Sequence, residues 1–169
     1  HAGALGPYFT HPGGALGRID EGKSHAARVD ARRTRAELSA DVQVDAQTQQ
    51  IKVMRMCCVQ DVGMAVNPGQ LRAQVESNLA WSVGMALMEN FEIGDDQIKS
   101  SNFDNYPIPR MADMPSVDIE IVDQPNIPPA GAGEVAIVAG PAAIANAIRR
   151  ATGYRALRLP ISYADTTTV

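Results

Sequence analysis

The sequence is short of most of what marks a specialised class. It has no run of eighteen apolar residues, so no membrane-spanning helix is encoded. It has 2 cysteines, Cys57 and Cys58, adjacent and in no zinc or Cys-x-x-Cys spacing. Its 3 histidines, His1, His11 and His25, all fall in one Gly- and Pro-bearing segment at the start, away from any spaced second ligand, so no metal held by side chains is expected. No basic run exceeds two residues and the net charge is −4, which argues against a nucleic-acid surface. The Arg28, Arg32, Arg33, Arg35 group is broken by Asp30 and reads as a solvated face. No Gly-x-Ser-x-Gly occurs, and the histidines are badly placed for a Ser-His-acid triad. The start has neither a basic region nor a sustained apolar one, so it does not read as a secretory leader. It also lacks Met, so the chain reads as a processed product or a part of something longer. The compartment stays open between cytoplasm and periplasm.

What is present is a foldable chain. Its 169 residues are 45% apolar and 20% charged, enough for one domain with a core. Residues 1–36 have no clear period and are expected to form an irregular or disordered arm; residues 37–169 carry the domain. Leu38, Ala40, Val42 and Val44 alternate with polar residues, as in a half-buried strand. A loop over residues 45–50 follows. Ile51, Val53, Met54, Met56, Cys57, Cys58 and Val59 then read as a more completely buried strand. Asn67-Pro68 opens a helix expected to run to about Asn90, with Asn as cap and Pro at the first turn. Its apolar stripe is Leu71, Val75, Leu79, Val83 and Leu87, and Trp81, Met85 and Met88 are expected to widen the buried arc. Val117, Ile119, Ile121 and Val122 give a further strand. A helix over 141–152 is expected to open at Pro141 and stop at Gly153, and residues 157–161 to form a short final strand or docked tail. The fold class is therefore α+β: a mostly antiparallel sheet with two main helices packed on one side.

Two features concentrate chemistry. Gln70, Gln74, Asn78 and Ser82 recur every four residues, an uncharged polar stripe where a solvent face would usually carry charge. It fits either an ordinary solvent face or a face turned towards a polar ligand. The second feature is Gly131-Ala132-Gly133-Glu134, a single carboxylate closing a glycine-bearing loop ahead of a helix. The loop formally fits a dinucleotide-binding fingerprint, but a proline-rich segment separates it from the preceding strand, and no acidic residue ends a strand about 20 positions on. A glycosidase pair would need a second acid, for which Asp61 is the only placed candidate. Glu134 alone is either a helix-start carboxylate or a catalytic base.

The ordered blocks say more together than singly. Asp61-Val62-Gly63 with Asn67-Pro68, Gln74-Val75-Glu76, Val83-Gly84-Met85-Ala86-Leu87, Asn102 to Tyr106, Met114-Pro115, Pro128 to Glu134, Ala143 to Ile148 and Leu159-Pro160 occur in sequence. In that order they resemble the C-terminal part of molybdenum hydroxylase large subunits, the xanthine dehydrogenase and aldehyde oxidase family, nearest the isoquinoline 1-oxidoreductase beta branch. The sequence has Ala73-Gln74-Val75-Glu76-Ser77 where the family often has Gly-Gln-Val-Glu-Gly. The resemblance implies part of a larger molybdopterin-binding domain, with molybdopterin cytosine dinucleotide in the full enzyme. It implies oxidation of an N-heteroaromatic or an aldehyde with oxygen derived from water. Glu134 would be the catalytic base, and Gln74, Asn78, Gly131 and Gly133 would contact the cofactor. Partners would be the remainder of the large subunit, a small 2Fe–2S subunit and a small-molecule substrate. Alone, the chain is expected to hold no cofactor and turn nothing over. The alternative is a docking or structural module, with self-association of the fragment as one outcome.

Overall fold

The computed structural model describes residues 27–31 and 34–167. A four-stranded sheet runs in the order β1 (Ala27–Ala31), β2 (Thr34–Asp45), β3 (Gln50–Asp61), β6 (Ser116–Val122). β1–β2 and β2–β3 pair antiparallel, while β3–β6 is parallel because helix α1 (Pro68–Leu87) lies on the connection between them. The sheet is thus mixed and mostly antiparallel. A two-stranded ribbon, β4 (Ile93–Gly94) and β5 (Gln97–Ile98), follows α1, turning through Asp95 and Asp96 at positive φ. Helix α2 (Val135–Thr152) lies across β2, and α1 packs on α2 and against β6. A last short helix, α3 (Tyr163–Thr166), closes the described chain.

The sheet starts earlier than Glu37. β1 and the opening of β2 fall inside the stretch expected to be irregular, because their pairing is set by the β2 register rather than by a pattern of their own. The rest of the expected arm, residues 1–26 and 32–33, lies outside the described residues.

β2 behaves as its alternation requires: Ala36, Leu38, Ala40 and Val42 are buried beneath α2. β3 is not uniformly buried. Met56, Cys58 and Gln60 point inward, and Met54 is exposed. A bulge shifts the register at Asp41/Val42 and leaves Met54 without a partner, so the inward phase passes to Val53. Cys57 and Cys58 therefore face opposite sides, both as free thiols.

Asn67 caps α1 by accepting from the Gln70 N–H at 3.0 Å, with Pro68 in the first turn. The buried face carries Leu71, Val75, Leu79, Val83 and Ala86. The expected wider arc does not form: Trp81 is 54% exposed and Met85 40%. That side of α1 faces an open groove of about 430 Å³ lined also by Ile108 and Pro109, while α2 and the sheet occupy the other side. The segment bearing Pro109 is tied to the chain just past the end of α1, the Tyr106 hydroxyl donating to Glu89 at 2.9 Å.

α2 begins at Val135, ahead of Pro141, which sits inside the helix. Burying Ala136 and Ala139 outweighs the missing Pro141 N–H, which leaves the Ile137 carbonyl without its usual partner. Gly153 ends the helix at φ 85° with Arg149 and Arg150 in its last turn. The tail after it is docked rather than extended into a strand: Ile161 is buried and its N–H donates to Ala86 O at 2.7 Å.

Candidate active site

The site is built from the turn after β3, the polar side of α1 and the loop leading into α2. The Pro/Gly loop after β6 is tied to the β3–α1 turn. Gln124 N–H donates to Gly63 O at 3.0 Å, Met64 N–H to Ile127 O at 2.9 Å and Ala130 N–H to Val62 O at 2.9 Å. Ala65 N–H donates to Asp123 at 2.9 Å. Asp61 is spent on this junction: one oxygen accepts from Gly63 N–H at 3.0 Å, the other from the Gln124 amide at 2.6 Å. Both of its oxygens are thus engaged in holding the junction. Gly63 has φ +75°, and a Cβ there would stand 2.6 Å from Pro128 O, so the turn admits only glycine without rearrangement.

Beyond this junction the loop reaches the amides. Asn78 Nδ2 donates to Gly133 O at 3.0 Å, and Gln60 Nε2 donates to Ala132 O at 3.4 Å. A Cβ on Gly133 would lie 3.5 Å from Gln74 Nε2, whereas nothing stands within 4 Å of one on Gly131. The four-spaced stripe thus has two halves. Gln70 and Gln74 are exposed, and Asn78 and Ser82 are buried beneath the loop and α2. It is not a solvent face along its length, and Asn78 spends its amide on the loop.

Glu134 stands at the N-cap position of α2 but makes no capping hydrogen bond. It is exposed, and among the described residues its carboxylate has no hydrogen bond or ion pair. It therefore does not serve as a side-chain cap, and its carboxylate is left unpaired on the loop that carries Gly131 and Gly133. Among the described residues, no group of three or more His, Cys, Asp or Glu is arranged to hold a metal ion. Nor is any helix among them long and apolar enough to cross a membrane.

Gln60 escaped the sequence reading. It is 0% exposed, and its Oε1 is buried with no partner among the described residues. The signal was a polar residue in phase with Met56 and Cys58, but that phase is legible only once the bulge at Met54 is known. The cysteines lie outside the site. Burial pushes the Cys58 thiol up to about 12, with the neighbouring Cys57 a smaller contributor. Desolvation also raises Cys57, which faces the Arg55–Asp118 pair.

With this geometry in place, similarity to known proteins decides the family. The model of the molybdopterin cofactor-binding domain family matches residues 25–115, more than half the chain. The chain belongs to that family. One subunit of nicotinate dehydrogenase from Pseudomonas putida is 38% identical over 123 residues, 73% of this chain and 10% of that one. The beta chain of isoquinoline 1-oxidoreductase from Brevundimonas diminuta is 31% identical over 124 residues, 73% of this chain and 16% of that one. Among solved structures, quinoline 2-oxidoreductase from Pseudomonas putida 86 superposes with a TM-score of 0.73 at 26% identity, covering 79% of this chain and 18% of that one. Aldehyde oxidoreductase from Desulfovibrio gigas superposes with a TM-score of 0.69 at 31% identity, covering 79% and 15%. These matches bear out the resemblance to molybdenum hydroxylase large subunits and the α+β fold class. The chain spans only a small part of the length of each. The family match ends at residue 115, so it covers β2, β3 and α1 but not the Glu134 loop.

Proposed function

We propose that this domain forms one wall of the catalytic site of a molybdenum-dependent hydroxylase, with Glu134 as the general base. The observation that carries the reading is the state of Glu134: an exposed carboxylate at a helix start, uncapped and unpaired, on a loop held from below by buried amides. A carboxylate that capped the helix would accept from the first-turn N–H groups.

The residues fit a molybdopterin group. Gly131 leaves open space where a side chain would stand, and Gln74 presents an uncharged amide beside Gly133. Gln74, Gly131 and Gly133 would hold the cofactor, which we assign to the cytosine dinucleotide form. When bound, the cofactor supplies the metal centre and the two-electron chemistry. Glu134 accepts a proton at its carboxylate oxygens during oxidation of the substrate. The exposed side of the loop gives substrate access, and the buried side keeps the carboxylate from turning inward. The names of the nicotinate, isoquinoline and quinoline enzymes favour an N-heteroaromatic substrate, with an aldehyde as the other choice.

The partners we assign are the remainder of a large subunit, which would cover the Trp81, Met85 and Ile108 groove, and a small 2Fe–2S subunit to carry electrons away. Two cysteines on opposite faces of one strand cannot ligate such a cluster. The same groove favours a second reading, a docking module that carries no chemistry itself. Molybdenum and pterin analysis of the purified chain, alone and with the full subunit, separates the two. The base is tested in the full-length subunit: Glu134→Gln lowers kcat by roughly 10²–10⁴ with molybdenum content unchanged. Unchanged turnover rejects the role.

A further inference from the structure

We propose that Asn78 and Gln60 are positioning residues that aim the Glu134 loop by holding two consecutive carbonyls turned into the protein. This rests on the reading of Glu134 as the base. The argument begins with the peptide unit. In a planar trans peptide the carbonyl of one residue and the N–H of the next point in opposite directions. Gln60, from β3, takes the Ala132 carbonyl, and Asn78, from α1, takes the Gly133 carbonyl at 3.0 Å. The N–H groups of Gly133 and Glu134 are therefore directed away from both amides, towards the exposed side of the loop. Among the described residues neither N–H has a partner. Two donors are thus presented on the exposed side of the loop, at and next to Glu134, which is itself exposed, and the two amides beneath them set that side.

The choice of residues is otherwise hard to explain. Gln60 is 0% and Asn78 3% exposed, at positions whose neighbours on the same faces are Met56, Cys58, Val75 and Leu79. Gln60 leaves its Oε1 buried without a partner, an arrangement an apolar side chain would avoid. A polar group kept at such a place serves the one bond it makes, and that bond goes to the loop.

Glycine at 131 and 133 makes the restraint necessary. The loop backbone has no Cβ to bias these peptides, so without the amides the 132–133 and 133–134 units are free to flip. A flip would turn the N–H groups inward and swing the carboxylate with them.

The test uses variants that remove a donor without burying a charge: Asn78→Leu and Gln60→Met. In the 169-residue chain, amide NMR and hydrogen exchange are read at Gly131, Gly133 and Glu134, with Ile144 and Ile148 as core reporters. Both variants are expected to shift the loop amides and speed their exchange while the core reporters stay in place. In the full-length enzyme each is expected to lower kcat by about two- to tenfold, with KM unchanged and the inflection of the pH profile moved. Loop amides unmoved in both variants overturn the proposal. If Asn78→Leu unfolds the chain, Gln60→Met decides alone, since Met replaces Gln at similar length, removes the buried Oε1 and takes away only the donor to the Ala132 carbonyl. Failure of the base reading looks different: Glu134→Gln would then retain turnover while the loop amides still respond to Asn78→Leu.

Discussion

Replacing Gly63 by alanine should be among the most damaging single changes in the loops of this domain. Two costs add. The first is conformational: φ is +75°, and an L residue in the left-handed region costs about 1–2 kcal/mol. The second is steric. The new Cβ would lie 2.6 Å from Pro128 O and 3.0 Å from Ile127 O, both backbone atoms of the loop that leads to Glu134. Backbone cannot rotate away as a side-chain end can, so the loop must shift at a cost typical of overpacking, about 1–3 kcal/mol. The sum, about 2–5 kcal/mol, is a large part of the roughly 5–15 kcal/mol that holds a domain together. The assay is urea denaturation. With a slope of about 2 kcal/mol/M, the midpoint should fall by about 1 M or more with the slope unchanged. Gly63→Asn separates the costs, because asparagine tolerates the left-handed region but still carries the colliding Cβ. Asparagine is expected to recover only a minor part of the loss. A midpoint within about 0.2 M of the parent for alanine would refute both costs, against the roughly 1 M they require. Full recovery by asparagine would refute the steric one.

Cys58 titrates near 12 when folded and near 9 when unfolded, so between those limits the unfolded chain gives up a proton that the folded chain keeps. Stability conferred by the protonated thiol is fully present below about pH 9 and is lost as pH rises towards 12, by up to about 1.4 kcal/mol per pH unit. Cys58→Ala should flatten that alkaline slope in denaturant titrations across this range, and an identical slope in both proteins would sink the assignment. Gly140→Ala puts a Cβ into the Ser82 hydroxyl and Cβ where α1 and α2 cross. It should cost about 1–3 kcal/mol, and Ser82→Ala combined with it should return part of the loss in a double-mutant cycle. Additive effects would show that the two positions do not meet.

Much of the fold could be read from local chemistry. The β2 alternation of Leu38, Ala40 and Val42, the Asn67-Pro68 start of α1 and the Gly153 stop of α2 are all found where the residues require them. The misreadings share a cause: each depends on what lies opposite. Met54 looks buried until the bulge in the β2–β3 register removes its partner. Pro141 has the look of a first helical residue, yet packing of Ala136 and Ala139 against the sheet extends the helix past it. Trp81 and Met85 continue a helical apolar pattern, but they line an open groove with Ile108 and Pro109 rather than the core. Glu134 and Gln74 could be picked out because glycines and an uncharged stripe are unusual in sequence. Gln60 could not, since nothing marks a buried glutamine until its phase is fixed.

The loop that carries Glu134 is positioned by the core rather than by its own sequence. Ser82 accepts the close approach of Gly140, and its hydroxyl turns back to donate to Asn78 O at 2.7 Å. That crossing fixes how near α2 lies to α1. Asn78 has a short side chain, and it reaches Gly133 O at 3.0 Å only because the crossing one turn further along α1 is tight. Any residue larger than glycine at 140 would spread the helices and lengthen that bond before it reached the carboxylate. The buried half of the stripe is therefore one device with graded roles: Ser82 sets the spacing and Asn78 holds the loop, while Gln74 stands exposed beside Gly133. On this account, Gly140→Ala should move the Gly133 and Glu134 amide resonances in the same direction as Asn78→Leu, although position 140 touches neither residue. Loop resonances that ignore Gly140→Ala would mean that the helix crossing and the loop are independent, and that the buried half of the stripe serves packing alone.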